Sequence, residues 1–170
     1  MSITELGALG EFVGAFGVIA SLVYLGLQVR QVKKGAEREA ASQLIRSCQN
    51  AEFTRVMNDV FNLPEGLNRS ELEERFEGQM DDLLAYFATW ESLGVLVHRR
   101  QLELGLVSDL LSYPVIYSWK VARVYVEDFR TDSGRATVWE WFQWLAERMM
   151  AQELESNPVP AYIEFRDWKP

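Results

Sequence analysis

Apolar residues run almost without interruption from Phe12 to Leu27, where the chain reads FVGAFGVIASLVYLGL and carries no charge. Ser21 and the Tyr24 hydroxyl are its only side-chain polarity. Taken from residue 8 to residue 29, the stretch gains Glu11 and Gln28. As a helix it then reaches roughly 33 Å, against about 30 Å for the hydrocarbon core of a bilayer. No face keeps a polar stripe for water, which sets the segment apart from a helix of a soluble bundle or an interfacial helix. The pattern predicts a transmembrane anchor over residues 1–30.

Past Val29 the apolar positions thin to one side of a helix. Phe53, Val56, Met57 and Val60 form a stripe, while Arg38, Glu39, Arg46 and Arg55 suit exposure. The period has no stop before Leu63-Pro64-Glu65-Gly66, so a juxtamembrane helix is expected over 31–63. Ser70-x-x-Glu73 reads as a capping box, opening a helix whose stripe is Phe76, Met80, Leu83, Phe87, Trp90 and Gly94. Gly105 and Ser108 frame a short helix. Ser112-Tyr113-Pro114 reads as the cap and early proline of the next, with Val115, Trp119, Ala122, Val126 and Phe129 along it. Arg130 to Gly134 reads as a turn, and Val138, Phe142, Leu145 and Met149 mark a last helix. No segment has the period of a strand.

The predicted fold is therefore all-α: one N-terminal transmembrane helix followed by a cytoplasmic bundle of about four to five helices. The bundle is placed at 64–156 and an aromatic tail at 157–170. Asn157-Pro158-Val159-Pro160 breaks the helix before the tail. Tyr162, Ile163, Phe165 and Trp168 are too apolar to stand in water, so they are expected against the bundle or a neighbouring subunit.

Charge orients the anchor. Glu5 and Glu11 precede the apolar run and Arg30, Lys33, Lys34 and Arg38 follow it. A secretory signal peptide carries its positive charge the other way round. By the positive-inside rule the N-terminus lies outside an inner membrane and the body in the cytoplasm. Under that topology the sequon Asn68-Arg69-Ser70 reads as chance.

One face of the anchor is lined by small residues. Gly7, Gly10, Gly14, Gly17 and Ser21 recur at alternating spacings of three and four, continued by Tyr24, Gln28 and Gln31. Small side chains let helix backbones approach closely in lipid, where packing takes over from the hydrophobic drive. The seam predicts a homo-oligomer or docking to a foreign membrane helix. Glu11 lies beside it, either as an interfacial carboxylate or as a ring at the mouth of an oligomeric pore.

Composition narrows the chemistry. The 170 residues are 48% hydrophobic and 25% charged, with a formal net charge of -8. An acidic body lacks the clustered Lys and Arg that nucleic acid requires. One cysteine, Cys48, excludes an intrachain disulfide framework, and one histidine, His98, removes multi-histidine metal sites. Cys48 reads as small core filling, and a thiol–imidazole pair with His98 has no geometric support. No GxGxxG, P-loop, HExxH, EF-hand loop or GxSxG elbow is present. Glu73, Glu74, Glu77, Asp81 and Asp82 lack the Glu-x-x-His elements of a di-metal bundle and read as a solvated face. His98-Arg99-Arg100 is the one compact basic cluster. Arg99 and Arg100 could take a small anion, or form salt bridges with the acidic helix. Trp139, Trp141 and Trp144 suit core or interface packing. Catalytic residues, cofactors and metals are not expected.

Phe87-Ala88-Thr89-Trp90-Glu91-Ser92-Leu93-Gly94-Val95-Leu96-Val97 with Arg99-Arg100, Leu106 to Leu111, Trp119 and Trp139 to Glu147 carry a resemblance. Leu9 to Gly14 and Leu25 to Gln31 add to it. The chain resembles an uncharacterised bacterial family whose domain has no known function, made of small proteins with one N-terminal hydrophobic helix. The resemblance implies an anchored helical domain and supplies no activity or site residue. The expected function is that of a membrane-anchored, non-enzymatic helical protein that self-associates through its glycine seam. The alternatives are a pore or membrane effector gated by a cytoplasmic ligand, and an accessory subunit of a larger membrane complex.

Overall fold

A computed structural model of the chain describes residues 17–32, 35, 39, 43, 46, 48, 50–156 and 159–169. The chain divides into two compact units, 1–44 and 45–170. Among the described residues all regular structure is helical, with no strand.

In the first unit, residues 17–32 are helical and every one of them is exposed. Among the described residues no helix is long and apolar enough to cross a membrane. The described stretch 17–32 reaches roughly 24 Å, short of a hydrocarbon core. Residues 8–16, with which the expected span begins, lie outside the described residues.

The described residues from Asn50 onward form the helices α1 (Ala51–Phe61), α2 (Arg69–Arg75), α3 (Met80–His98), α4 (Leu104–Ser133), α5 (Glu140–Ser156) and α6 (Ala161–Glu164). The helical period read through to Leu63 is interrupted at Asn50, whose φ of -77° and ψ of 151° are extended. The Asn50 carboxamide accepts the Phe53 N–H at 2.6 Å and so starts α1 afresh.

The capping box sits two residues earlier than the Ser70–Glu73 reading placed it. Asn68 Oδ1 accepts the Glu71 N–H at 3.0 Å, and Glu71 Oε2 accepts the Asn68 N–H at 2.9 Å. The asparagine of the chance sequon is thus the cap of α2. Glu73 is left to pair with Arg69 at 2.7 Å. The stripe expected from Phe76 to Gly94 is broken after Phe76, because Gly78 turns left-handed at φ 75°.

The two helices expected on either side of Pro114 are one. Pro114 lies inside α4, where it costs about 3 kcal/mol against an ordinary residue. Val107 before it and Val115, Trp119, Ala122 and Val126 after it are all buried. Each large apolar side chain so buried returns about 1.5–3 kcal/mol, so the continuous face outweighs the proline. The helix runs on through most of the expected turn and ends at Ser133, with Gly134 as its left-handed cap at φ 65°.

α5 packs chiefly against α3 and also against α4, α1 crosses α3 and α4, and α2 lies on α4. Trp90, Phe87, Phe142, Leu83, Leu145 and Met149 are among the fully buried side chains between them. Phe142 meets Phe87 at 5.7 Å and Trp119 at 5.3 Å between ring centroids, joining all three long helices. Gly94 makes the closest approach: a Cβ there would fall 2.8 Å from the carbonyl carbon of Trp141. The tail does not return to this core, since Tyr162 is 78% and Trp168 70% exposed.

Gly94→Ala therefore forces α3 and α5 apart and is expected to destabilise the chain by roughly 3 kcal/mol, the upper end for overpacking. Gly105→Ala meets nothing within 4 Å and should stabilise α4 by about 0.5–1 kcal/mol. Urea unfolding of the full chain measures both. Equal midpoints for the two variants would contradict the close approach.

Candidate functional site

The described half of the seam begins at Gly17. A Cβ added at Gly17 meets nothing within 4 Å among the described residues. The Ser21 hydroxyl donates back to the Gly17 carbonyl at 2.8 Å, and Gln28 Nε2 donates to the Tyr24 hydroxyl at 3.0 Å. The polar groups of this face are thus satisfied along the helix. Around it, Val18, Leu22, Leu25 and Val29 are 54–66% exposed. Gly7, Gly10, Gly14 and Glu11 lie outside the described residues.

The basic cluster closes α3. His98 is the last residue of the helix, and its ring sits 4.5 Å from Trp141 and 5.6 Å from Trp144, the latter edge-on. Arg148 lies over the Trp144 ring at 5.9 Å. Arg99 and Arg100 are exposed, and among the described residues neither forms an ion pair. The salt bridges expected with the acidic helix are absent for a simple reason. Asp82 is held by Arg55 and Glu73 by Arg69, at the other end of the bundle, while Glu74, Glu77 and Asp81 face water. At the C-terminus of a nineteen-residue helix, two cations offset the negative end of the dipole. That same dipole weakens the site for an anion.

Cys48 and His98 do not meet. Cys48 is half-buried and close enough to Tyr86 to act on its hydroxyl. Tyr86 is twelve residues, roughly 18 Å, from His98 along α3. Burial pushes the Tyr86 hydroxyl far above its usual range, and Ser118 Oγ lies 2.8 Å from it inside the core. An open cleft of about 200 Å³ runs past Asn50, Phe53, Asp82, Tyr86 and Thr89. Among its described lining residues no nucleophile is paired with a base. Among the described residues no group of His, Cys, Asp or Glu could hold a metal ion.

Glu91 is a half-buried carboxylate with a defined task. Its Oε2 accepts the Phe142 N–H at 2.7 Å, satisfying the start of α5 from a neighbouring helix. Burial raises its pKa above the usual carboxylate value. The Phe142 and Trp141 N–H groups pull the other way, Glu140 adds to the rise and Arg130 opposes it.

Residues 11–149 match the family described as Domain of unknown function (DUF4760). The chain belongs to the DUF4760 family. No curated protein and no solved structure matches it. The match agrees with the resemblance read from the sequence. The DUF4760 range takes in the exposed helix 17–32 and the body as far as Met149, and it leaves out the tail.

Within the DUF4760 domain, three features escaped the reading of the sequence. Glu91 stands in the stretch that carries the resemblance, and it lies one turn before Gly94 on the face that meets α5. A carboxylate one turn from a glycine in an apolar stripe was the available signal. Nothing in the sequence marks Ser118, and only the fold brings it to Tyr86. Leu106, Leu110 and Tyr113 form an exposed apolar stripe on α4, hidden by the assumption that a helix ended before Pro114.

A raised folded pKa means that Glu91 supports the fold fully below the ordinary carboxylate pKa. That support is lost as pH rises through its own, higher value. Glu91→Gln keeps an oxygen acceptor and removes the titration. The wild type should therefore lose stability relative to the variant as pH climbs from below the carboxylate range toward neutrality. Thermal melts of both chains across that interval measure it, and parallel curves would refute the assignment.

Proposed function

We propose that this DUF4760 protein is a membrane-anchored, non-enzymatic helical protein that self-associates through the small-residue face of its first helix. The observation that supports the reading is the helix 17–32, whose large apolar side chains are exposed on every side. Val32 is 72% exposed and Leu27 still 54%. In water each such side chain forgoes about 1.5–3 kcal/mol of burial, a load that lipid or a packed neighbour removes. The sequence continues apolar on the N-terminal side through Phe12, Val13, Ala15 and Phe16, which extends the segment to spanning length. Arg30, Lys33 and Lys34 on the C-terminal flank favour, by the positive-inside rule, a cytoplasmic body and an N-terminus outside a bacterial inner membrane.

The partners in this reading are the lipid bilayer and further copies of the chain. An accessory role in a larger membrane complex uses the same seam against a foreign helix. A pore adds Glu11 at its mouth. Gating by a cytoplasmic anion would use Arg99 and Arg100, which have no ion pair among the described residues. Phosphate should then raise the melting temperature of the wild type and not of an Arg99→Ala/Arg100→Ala chain.

The anchor is tested by alkaline extraction of membranes and by a reporter fused after Pro170. The protein should stay in the membrane pellet and the reporter should behave as cytoplasmic. Release into the supernatant, or labelling of Cys48 from outside intact cells, would overturn the topology. Self-association is tested by the mass of the detergent-extracted particle. Gly17→Ile adds a branched side chain where no described residue lies within 4 Å of an added Cβ, so it should leave the fold intact and loosen the oligomer. An unchanged mass would argue for docking to a foreign helix, or for an anchor alone.

A further inference from the structure

Trp90 is fully buried, and among the described residues its indole N–H has no hydrogen-bond acceptor. Two hydroxyls share the core with it. Tyr86, one turn earlier on α3, is 2% exposed, and Ser118 on α4 is fully buried. Their oxygens stand 2.8 Å apart, and either can be the donor. Burial raises the Tyr86 pKa, while Ser118 and then the Trp90 N–H oppose the rise, so the indole nitrogen lies near the phenol oxygen. The three groups form one buried polar cluster at the joint between α3 and α4.

This cluster has a surplus of donors. It carries an indole N–H, a phenol O–H and a serine O–H, and the bond between Tyr86 and Ser118 uses only one of these hydrogens. Whichever hydroxyl donates, the hydrogen of the other and the Trp90 N–H are left without an acceptor among the described residues. Each unmet donor in a core costs about 1–3 kcal/mol, and folded proteins rarely leave two together. The surplus also states the chemistry of an occupant. It has to accept twice, so an ammonium group, which only donates, does not fit. An anion accepts, but its charge among the rings of Phe53, Tyr86 and Trp90 costs more than the bonds return. A neutral acceptor remains, and the two lone pairs of water match the two free hydrogens. Solvent has a way toward the cluster. Phe53 and Tyr86 line the open cleft of about 200 Å³, and Trp90 packs against both rings, at 5.4 and 5.3 Å between centroids.

We infer that one ordered water molecule is an integral part of this core, accepting from the Trp90 N–H and from whichever of the Tyr86 and Ser118 hydroxyls is not bonded to the other. Its own hydrogens find acceptors in the remaining lone pairs of the two hydroxyl oxygens, which gives it the two to four partners usual for buried water. The contact between α3 and α4 is then a bridged one, in which the indole of Trp90 is joined to α4 through solvent. This site is internal to the body and independent of the membrane reading.

The test is a crystal structure of the full-length chain at a resolution that shows internal waters. An oxygen peak is expected about 2.7–3.2 Å from Trp90 Nε1 and within hydrogen-bonding reach of Tyr86 or Ser118. Substitutions change the donor count in a defined way. Tyr86→Phe or Ser118→Ala alone leaves two donors, so the peak should persist in each. The two together leave only the indole N–H, and a water with a single partner should be lost. Proton NMR of the full chain gives a second readout in solution. The Trp90 indole proton, identified by its loss in Trp90→Phe, should lie downfield in the wild type and move upfield in the double variant. Three results would overturn the inference. They are no peak beside Nε1 in a map that shows other internal waters, a peak that survives the double substitution, or a Trp90 proton already shifted upfield in the wild type. The last would place the N–H over the face of Phe53 or Tyr86.

Discussion

Gly94 brings α3 and α5 together so closely that no side chain fits between the glycine and the Trp141 carbonyl. Much of the body follows from that approach. It sets Glu91, one turn away, at hydrogen-bonding distance from the first amides of α5, and it brings His98 onto Trp141 and Trp144. It also drives Phe142 in between Phe87 and Trp119, so the aromatic core is organised by the smallest residue in its neighbourhood.

Around this contact the polar groups of the bundle serve its ends. Asn50 starts α1, Asn68 and Glu71 start α2, and Glu91 starts α5. Arg130 donates to the Val138 carbonyl at 2.8 Å and to Gln143 at 2.7 Å, tying the loop after α4 to α5. Tyr117 donates to the Leu63 carbonyl at 3.0 Å and so holds the turn that follows α1. These charged and amide side chains act as positioning groups for backbone. The described body contains no constellation in which a nucleophile, a base and a pocket converge.

Periodicity made the body legible. Phe53, Val56 and Val60, then Leu83, Phe87 and Trp90, then Phe142, Leu145 and Met149 all lie buried where their spacing put them. Boundaries were less so, because caps compete. Asn68 and Ser70 both precede a glutamate by three residues, and the fold uses the first. Pro114 carries a strong local signal for a helix start, which a long apolar face overrode. The seam could be read as a pattern, but its meaning depends on what lies outside the chain. No sequence period could show that Glu91 caps a helix fifty residues away, since that contact exists only once Gly94 has let α5 approach.

Pro114 also divides α4 into two regions of unequal tenacity. With no N–H to give, it leaves the Leu110 carbonyl without its helical partner in the middle of a thirty-residue helix. Beyond it, Val115, Trp119, Ala122 and Val126 anchor the C-terminal portion in the core, whereas Val107 is the one fully buried side chain before it. Amide protons of the first turns should therefore exchange with solvent through local opening, while those near Val121 wait for global unfolding. The stretch of α4 that opens first is also the stretch that carries the exposed side chains of Leu106, Leu110 and Tyr113.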